Sequence, residues 1–172
     1  MARPTLDNVR NIGDVASAYR WDLTFLQVPT ALASYSSEDM NVRCESTTLP
    51  KRIEATPDVN IRGHKVLFPG RLTYSNELDM TFIETENNMI AKFLKAWWDL
   101  LWDPKLGTRY PKNQLEARLL IKRLDHNNVA IWQYQIHGVF LKDADFGKLD
   151  GETETIKPTV KFSYDYFIEK EL

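Results

Sequence analysis

The side chains best suited to chemistry, the histidines and the cysteine, are scattered along this 172-residue chain. His64, His126 and His137 are far apart, and none lies three or four residues from another, the spacing that places two ligands on one metal ion. Cys44 is the single cysteine, so no disulfide can form within the chain. The sequence therefore predicts no metal site and no cofactor, and it favours assembly in a reducing cytoplasm.

Motifs for nucleophilic or phosphate chemistry are also missing. The seven glycines are dispersed and form no phosphate-binding loop, and the Gly-Xaa-Ser-Xaa-Gly pattern of a nucleophile elbow does not occur. Asp143 and Asp145 could lie near each other, but a general acid and base need a cleft that separates their pKa values, and no sequence feature predicts one. No catalytic residue is predicted, and an enzyme is the last of the functions considered.

Two further groups of side chains have both a structural and a binding interpretation. Trp97, Trp98 and Trp102 could form a stacking platform for bases or sugars, but their helical spacing favours packing against a neighbouring element. Between residues 143 and 154, five acidic residues and one lysine leave a local charge of −4. A solvated loop is the favoured interpretation of this acidic segment, and a recognition site is the alternative.

The chain is organised around a strand at residues 77–83 that leads into a helix at about residues 86–103. The strand alternates apolar and polar residues, and the helix carries apolar residues at spacings of three and four. Thr85 is the predicted N-cap, and Pro104 ends the run. Because the apolar stripe is broad and aromatic, we expect the helix to cover a sheet or a neighbouring subunit.

Alternation of apolar and polar residues predicts further strands. They span residues 19–28, 40–45, 60–68, 115–122, 130–139 and 160–168. Residues 51–57 are predicted to be an extended connection and residues 140–151 mostly a loop, whereas residues 1–18 have no clean period and are interpreted as an arm. About seven strands and one helix predict a single domain over residues 1–172, with the fold of an antiparallel β-sandwich or barrel and one flanking α-helix.

The composition argues against several classes of function. Lys and Arg number 22 and Asp and Glu number 24, which gives a formal net charge of −2. This balance argues against a general polyanion binder. No apolar run is long enough to span a bilayer, and the N-terminal residues lack the hydrophobic stretch of a secretory signal, so we expect a soluble protein made in the cytoplasm.

Several segments in a fixed order carry a family resemblance. They are residues 42–50, a strand and its break; residues 61–63; residues 78–82, which lead into the tryptophan-bearing helix; and residues 138–141, which lead to residues 160–166. Together they resemble the tail tube proteins of contractile-tailed, T-even-like bacteriophages. The resemblance covers residues 19–169 in element order and spacing.

The resemblance implies a structural virion protein that forms six-membered rings, stacked into a hollow tube within a sheath. In that family, inner strands of all subunits join into one barrel, and an extended loop crosses the contact between rings. The loop at residues 46–57 is the best match, and the implied interface residues are Ser46, Thr47, Thr48, Leu49, Pro50, Lys51 and Arg52.

The partners implied by the resemblance are further copies of the chain, the tail sheath, baseplate and tube-terminator proteins, a tape measure protein in the lumen, and double-stranded DNA in passage. Assembly would take place in the host cytoplasm, and the product would lie in the virion tail. Two alternatives stay open. One is a tube-like baseplate initiator or tube terminator made in few copies, and the other is a monomeric β-barrel that binds a small apolar ligand.

Overall fold

Strands form most of the secondary structure in the computed structural model, which describes residues 5–11, 13, 15–149, 151 and 155–172. The strands are β1 (Trp21–Gln27), β2 (Cys44–Thr47), β3 (Arg52–Glu54), β4 (Asp58–Ile61), β5 (His64–Leu67), β6 (Leu72–Tyr74), β7 (Glu77–Phe82), β8 (Ala117–Leu124), β9 (Ala130–Asp145), β10 (Thr159–Ser163) and β11 (Tyr166–Glu171). The helices are α1 (Leu6–Arg10), a 3-10 turn (Thr30–Leu32), α2 (Ser37–Arg43), α3 (Met89–Leu101) and α4 (Lys112–Leu115).

Two antiparallel sheets share the long strand β9. Its first half lies between β8 and β11, which gives sheet A the order β1-β8-β9-β11. Its second half pairs with β10, which gives sheet B the order β9-β10-β7-β2. Between the halves, Gly138 has φ +66°, and a Cβ there would lie 2.1 Å from Oδ2 of Asp165. Glycine therefore permits β9 to pass from one sheet to the other.

Helix α3 closes the space between the sheets, as its apolar stripe predicts. The ring of Phe93 makes an edge contact with Phe25 of β1 at 5.7 Å between centroids. The ring of Trp97 lies 5.3 Å from that of Phe162 of β10, and its Nε1 donates to the Leu115 carbonyl at 3.0 Å. Contacts with both sheets confirm the mainly antiparallel β-fold with a flanking helix.

The ends of α3 differ from the prediction. The helix begins at Met89, after Asn88 in a left-handed conformation with φ +53°. The predicted N-cap, Thr85, does not cap it. The Glu84 carboxylate does so instead, because it accepts from the backbone amides of Ile90 at 3.1 Å and Ala91 at 2.7 Å. A carboxylate at this end satisfies free amides and stabilises the positive end of the helix dipole.

The strand predicted at residues 40–45 is wrong over most of its length. The chain forms α2 up to Arg43, and Ser36 is the N-cap, with its Oγ accepting from the Asp39 amide at 3.4 Å. Acidic residues in the first turn add to the stability of this short helix. Six residues are too few to distinguish the two-residue period of a strand from the 3.6-residue period of a helix.

Four further predictions need correction, two of strands and two of connecting segments. Residues 60–68 form a hairpin and not one strand, because Arg62 and Gly63 both have positive φ, at 50° and 85°, as a two-residue hairpin turn requires. Residues 160–168 contain two strands, β10 and β11, which pair with different halves of β9. Residues 51–57 contain β3, and β9 continues to Asp145, into the predicted loop.

The acidic segment and the N-terminal arm are described only in part. Asp143 and Asp145 lie on β9, whereas Asp150, Glu152 and Glu154 lie outside the described residues. In the predicted arm, residues 1–4, 12 and 14 are outside the described set, and the described part includes α1.

Candidate assembly surfaces

A long hairpin arm, residues 51–75, connects β2 to β7. β3 pairs with β6 near the two sheets, and β4 pairs with β5 toward the tip. Every residue from 51 to 73 is exposed. A two-stranded hairpin is at best marginally stable in water by itself, so an arm that contacts its own domain only at its base is suited to pack on another molecule.

One face of the arm is apolar. Val59 of β4 lies directly opposite Val66 of β5, and alternation places Ile61 and Phe68 on the same face. These four side chains are between 42% and 56% exposed. A contiguous apolar face of this kind is typical of a protein–protein contact.

The base of the arm is attached to the domain through Tyr164, which is 1% exposed. Its hydroxyl oxygen accepts from the Lys51 backbone amide at 3.3 Å and forms a hydrogen bond with Ser75 Oγ at 2.8 Å. The Asn76 side-chain amide donates to the Tyr164 carbonyl at 2.7 Å. Both ends of the arm are thus held by one buried side chain.

Arg52 adds a second attachment on β11. Its guanidinium is 2.8 Å from the Glu169 carboxylate and lies over the Phe167 ring at 5.2 Å. The Tyr74 ring makes an edge contact with the same phenylalanine at 5.4 Å. The direction of the arm is therefore set by strand β11.

Replacing Tyr164 with Phe should loosen the arm without unfolding the domain. The ring would stay in the core, but the Lys51 amide would lose its acceptor and the Ser75 hydroxyl would keep only the Glu77 carbonyl, at 3.4 Å. We expect a loss of about 1 kcal/mol in the free energy of unfolding, measured with urea, and faster hydrogen exchange at Lys51. Tyr110→Phe, at a 53% exposed tyrosine, is the control. Equal stability and exchange in both variants would contradict this role.

The structure divides the seven predicted interface residues among three places. Ser46 and Thr47 lie on β2, at the border of sheet B. Thr48 pairs with β7, because its Oγ1 accepts from the Asp79 amide at 2.9 Å. The remaining residues, Leu49, Pro50, Lys51 and Arg52, form the base of the arm, where Pro50 is buried and Leu49 is 40% exposed.

Sheet B has two borders that pair with no other strand of the described residues. One is β2, and the other is the second half of β9, residues 140–145. An unpaired strand at a sheet border offers backbone donors and acceptors to another chain. These borders are therefore candidate contacts between copies.

The outward face of sheet B carries paired charges. Lys142 forms an ion pair with Glu77, and the hydrogen bond from this lysine lowers the pKa of the Glu77 carboxyl. Lys161 lies 4.0 Å from Asp79. Cross-strand register places Asp143 on the other side of Lys161. A groove of about 360 Å³ is lined by Asp79, Lys161 and Asp143.

Other chemical groups offer little reactivity. Burial raises the pKa of the Cys44 thiol to about 12, so the reactive thiolate is scarce at neutral pH. Among the described residues, no three His, Cys, Asp or Glu side chains are grouped so as to hold a metal ion.

None of the helices in the described residues is long and apolar enough to cross a membrane. Trp97 and Trp98 pack in the core, and Trp102 is 52% exposed.

The same fold occurs in solved structures of contractile injection machines. A chain of the anti-feeding prophage baseplate, described as 6-fold symmetrised, aligns with a TM-score of 0.67 at 11% identity, over 92% of this chain and 97% of that one. A chain of the anti-feeding prophage tube-terminating cap also gives 0.67, at 10% identity over 93% of each. A chain of the PVC sheath–tube complex in the extended state gives 0.63, at 10% identity over 99% and 100%.

The fold and the exposed arm thus define a β-sandwich of the class found in these contractile machines. Residues 15–170 match the family model of the phage tail tube protein, and the chain belongs to that family. Among curated protein sequences, none matches the chain. The resemblance predicted from the sequence is confirmed, and the chain is a tail-tube-like structural protein of a phage or contractile injection system.

Proposed function

We propose that this protein is the tube subunit of a contractile tail, and that copies form six-membered rings which stack into the inner conduit for double-stranded DNA. The observation that carries the proposal is the arm, since every residue from 51 to 73 is exposed and one face is apolar. The family supports a tube, and the similar baseplate structure is described as 6-fold symmetrised. No active site and no cofactor belong to the proposal.

Ring closure follows from the borders of sheet B. The β2 border of one copy would pair with the β9 border of the next, at residues 140–145, in a head-to-tail contact. Such a contact generates a closed ring if the rotation between copies is sixty degrees, and it leaves neither border of sheet B open. Ser46 and Thr47 would lie in this contact.

The outward face of sheet B would then line the lumen. Two of its lysines lie near carboxylates, Lys142 at Glu77 and Lys161 at Asp79. Lys157, just before β10, forms an ion pair with Glu45 of β2. Unpaired lysines would bind the phosphates of passing DNA. A face with paired lysines and further acidic residues would let DNA slide.

Stacking would use the arm and its base. The apolar face of the arm would lie on a neighbouring ring, and Leu49, with Lys51 and Arg52, would border that contact. The partners in the particle would be the sheath, baseplate and terminator proteins, a tape measure protein and the DNA. We also propose one domain over residues 1–172, with residues 1–18 as an N-terminal arm.

Electron microscopy of negatively stained protein, together with size-exclusion chromatography, tests the proposal. Rings and long hollow tubes are the expected result. Isolated rings that do not stack would favour a baseplate initiator or terminator, which the similarity to a baseplate and a cap structure makes the second candidate. A monomer of about 20 kDa at high concentration would contradict both and favour the ligand-binding barrel.

Leu49→Asp should block ring stacking and leave the subunit folded. Leu49 is 40% exposed, so the domain tolerates a charge there, whereas a buried contact would leave the carboxylate without a partner. A cost of about 3 kcal/mol per contact is enough to prevent tube growth. Tube yield is counted by microscopy, with Val42→Asp, at a 78% exposed site on α2, as the control. Normal yield from Leu49→Asp would remove this residue from the contact.

A further inference from the structure

Helix α2 lies along the border of sheet A that β1 forms. The backbone amide of Leu23 donates to Asn41 Oδ1 at 2.8 Å, and that of Phe25 donates to Ser37 Oγ at 2.7 Å. Two side chains of the helix thus occupy positions where the carbonyl oxygens of a neighbouring strand would lie.

The register of β1 explains why these two amides point outward. The Leu124 amide donates to the Arg20 carbonyl at 3.0 Å, so alternate residues from Arg20 direct their backbone groups toward β8. Leu23 and Phe25 lie between them and direct their amides away from β8. Without α2, both amides would be free to pair with another strand.

The spacing of the acceptors matches the spacing of the donors. Ser37 and Asn41 are four residues apart on a helix, a rise of about 6 Å, and two residues along a strand rise about 6.8 Å. The helix runs antiparallel to β1, since Asn41 meets Leu23 and Ser37 meets Phe25. One turn of helix can therefore satisfy two successive outward amides.

The position of α2 is held by other contacts. The Asn41 Nδ2 group donates to Asp22 Oδ1 at 3.3 Å, which leaves Oδ1 of the same amide facing Leu23. Met40, between the two acceptors, is 1% exposed and fixes the helix on the core. The block is part of the folded domain and not a loose loop.

We propose that α2 blocks the β1 border against strand pairing, so that this border of sheet A does not compete with the borders of sheet B when copies join. Ser37 and Asn41 are the residues that determine this specificity. The inference rests on the proposed function for the direction of assembly, but the closing of the border itself is a property of the single subunit. An open β1 border would compete with ring closure and yield irregular aggregates.

The test is a double variant, Ser37→Ala with Asn41→Ala, which removes both acceptors. The control is Glu38→Ala with Val42→Ala, on the same helix at two exposed residues. Near-ultraviolet circular dichroism checks the fold, and NMR measures hydrogen exchange at the Leu23 and Phe25 amides. Sedimentation and microscopy then measure how much of each variant forms irregular aggregates and how much forms rings or tubes.

We expect the double variant to lose protection at both amides and to convert ring or tube material into irregular, β-rich aggregates, while the control behaves as wild type. Retained protection, or normal assembly despite lost protection, would overturn the proposal. If the double variant does not fold, Ser37→Ala is compared with Ser37→Thr, which keeps the hydroxyl acceptor, and only the alanine variant should aggregate. If the wild type forms no rings, the proposed function fails, yet exchange and aggregation still test the block.

Discussion

Aspartate at both Val59 and Val66 will stop tube growth at the stage of single rings. The two side chains lie opposite each other on the apolar face of the arm, 44% and 42% exposed. Because they are exposed in the subunit, the substitutions cost the fold little, but in a stacked tube two unpaired carboxylates would be buried at every arm. We expect the tube fraction in sedimentation to fall at least about a hundredfold, a difference of about 2.7 kcal/mol.

The matched control alters the opposite face of the same hairpin. Asn60 and Lys65 lie opposite each other there, and Asn60→Asp with Lys65→Asn changes the net charge by the same amount. This variant should assemble close to normally. If it fails equally, charge at the tip and not the apolar face governs stacking. If both variants form tubes, the arm is not the stacking contact.

The elements that could be predicted from the sequence are those with long, unambiguous periods. Helix α3 has thirteen residues with one apolar stripe, and the hairpin of β8 and β9 alternates over many residues. In such segments the spacing of the apolar residues fits only one type of secondary structure. At residues 40–45 the strand prediction is wrong, because the contacts from Ser37 and Asn41 to β1 join residues that are distant in sequence and are not visible in a local pattern.

The break between β10 and β11 shows a second limit. Val160, Phe162 and Tyr164 face the core, but so does Phe167, so the inward face changes from even to odd positions. Because aromatic residues occupy both even and odd positions here, the sequence pattern does not show where the inward face changes. The chain passes from sheet B to sheet A here, as β9 does at Gly138, and this transfer depends on tertiary pairing.

The arm was the part of the candidate site least accessible to sequence reasoning. Apolar residues such as Ile61 and Phe68 usually indicate a domain core, and alternation alone does not tell whether the covering surface belongs to the same chain. The resemblance implies a ring contact in the loop at residues 46–57, which in the structure runs from the border of sheet B into the first part of the arm. The tip of the arm lies mostly within the strand predicted at residues 60–68, and a strand prediction does not indicate that its apolar residues are exposed.

The charges on the outward face of sheet B would determine how the lumen interacts with DNA. In sheet B the residues opposite Lys161 are Asp79 on one neighbouring strand and Asp143 on the other. Asp145 lies opposite Thr159 on the same face. A lysine between two acids offers little net charge to a phosphate. Since each ring would repeat this face in every subunit, a change of sign there would be multiplied along the tube.

Asp143→Lys with Asp145→Lys should turn a tube that does not bind DNA into one that retains it. The two substitutions move the formal charge of each subunit from −2 to +2. We expect short DNA duplexes present during assembly to sediment with variant tubes at low salt, and the retained fraction to fall at least about tenfold by 200 mM salt. Glu86→Lys with Asp99→Lys places the same charge near α3, and it should retain far less DNA. Equal retention by both variants would mean that sheet B does not line the lumen.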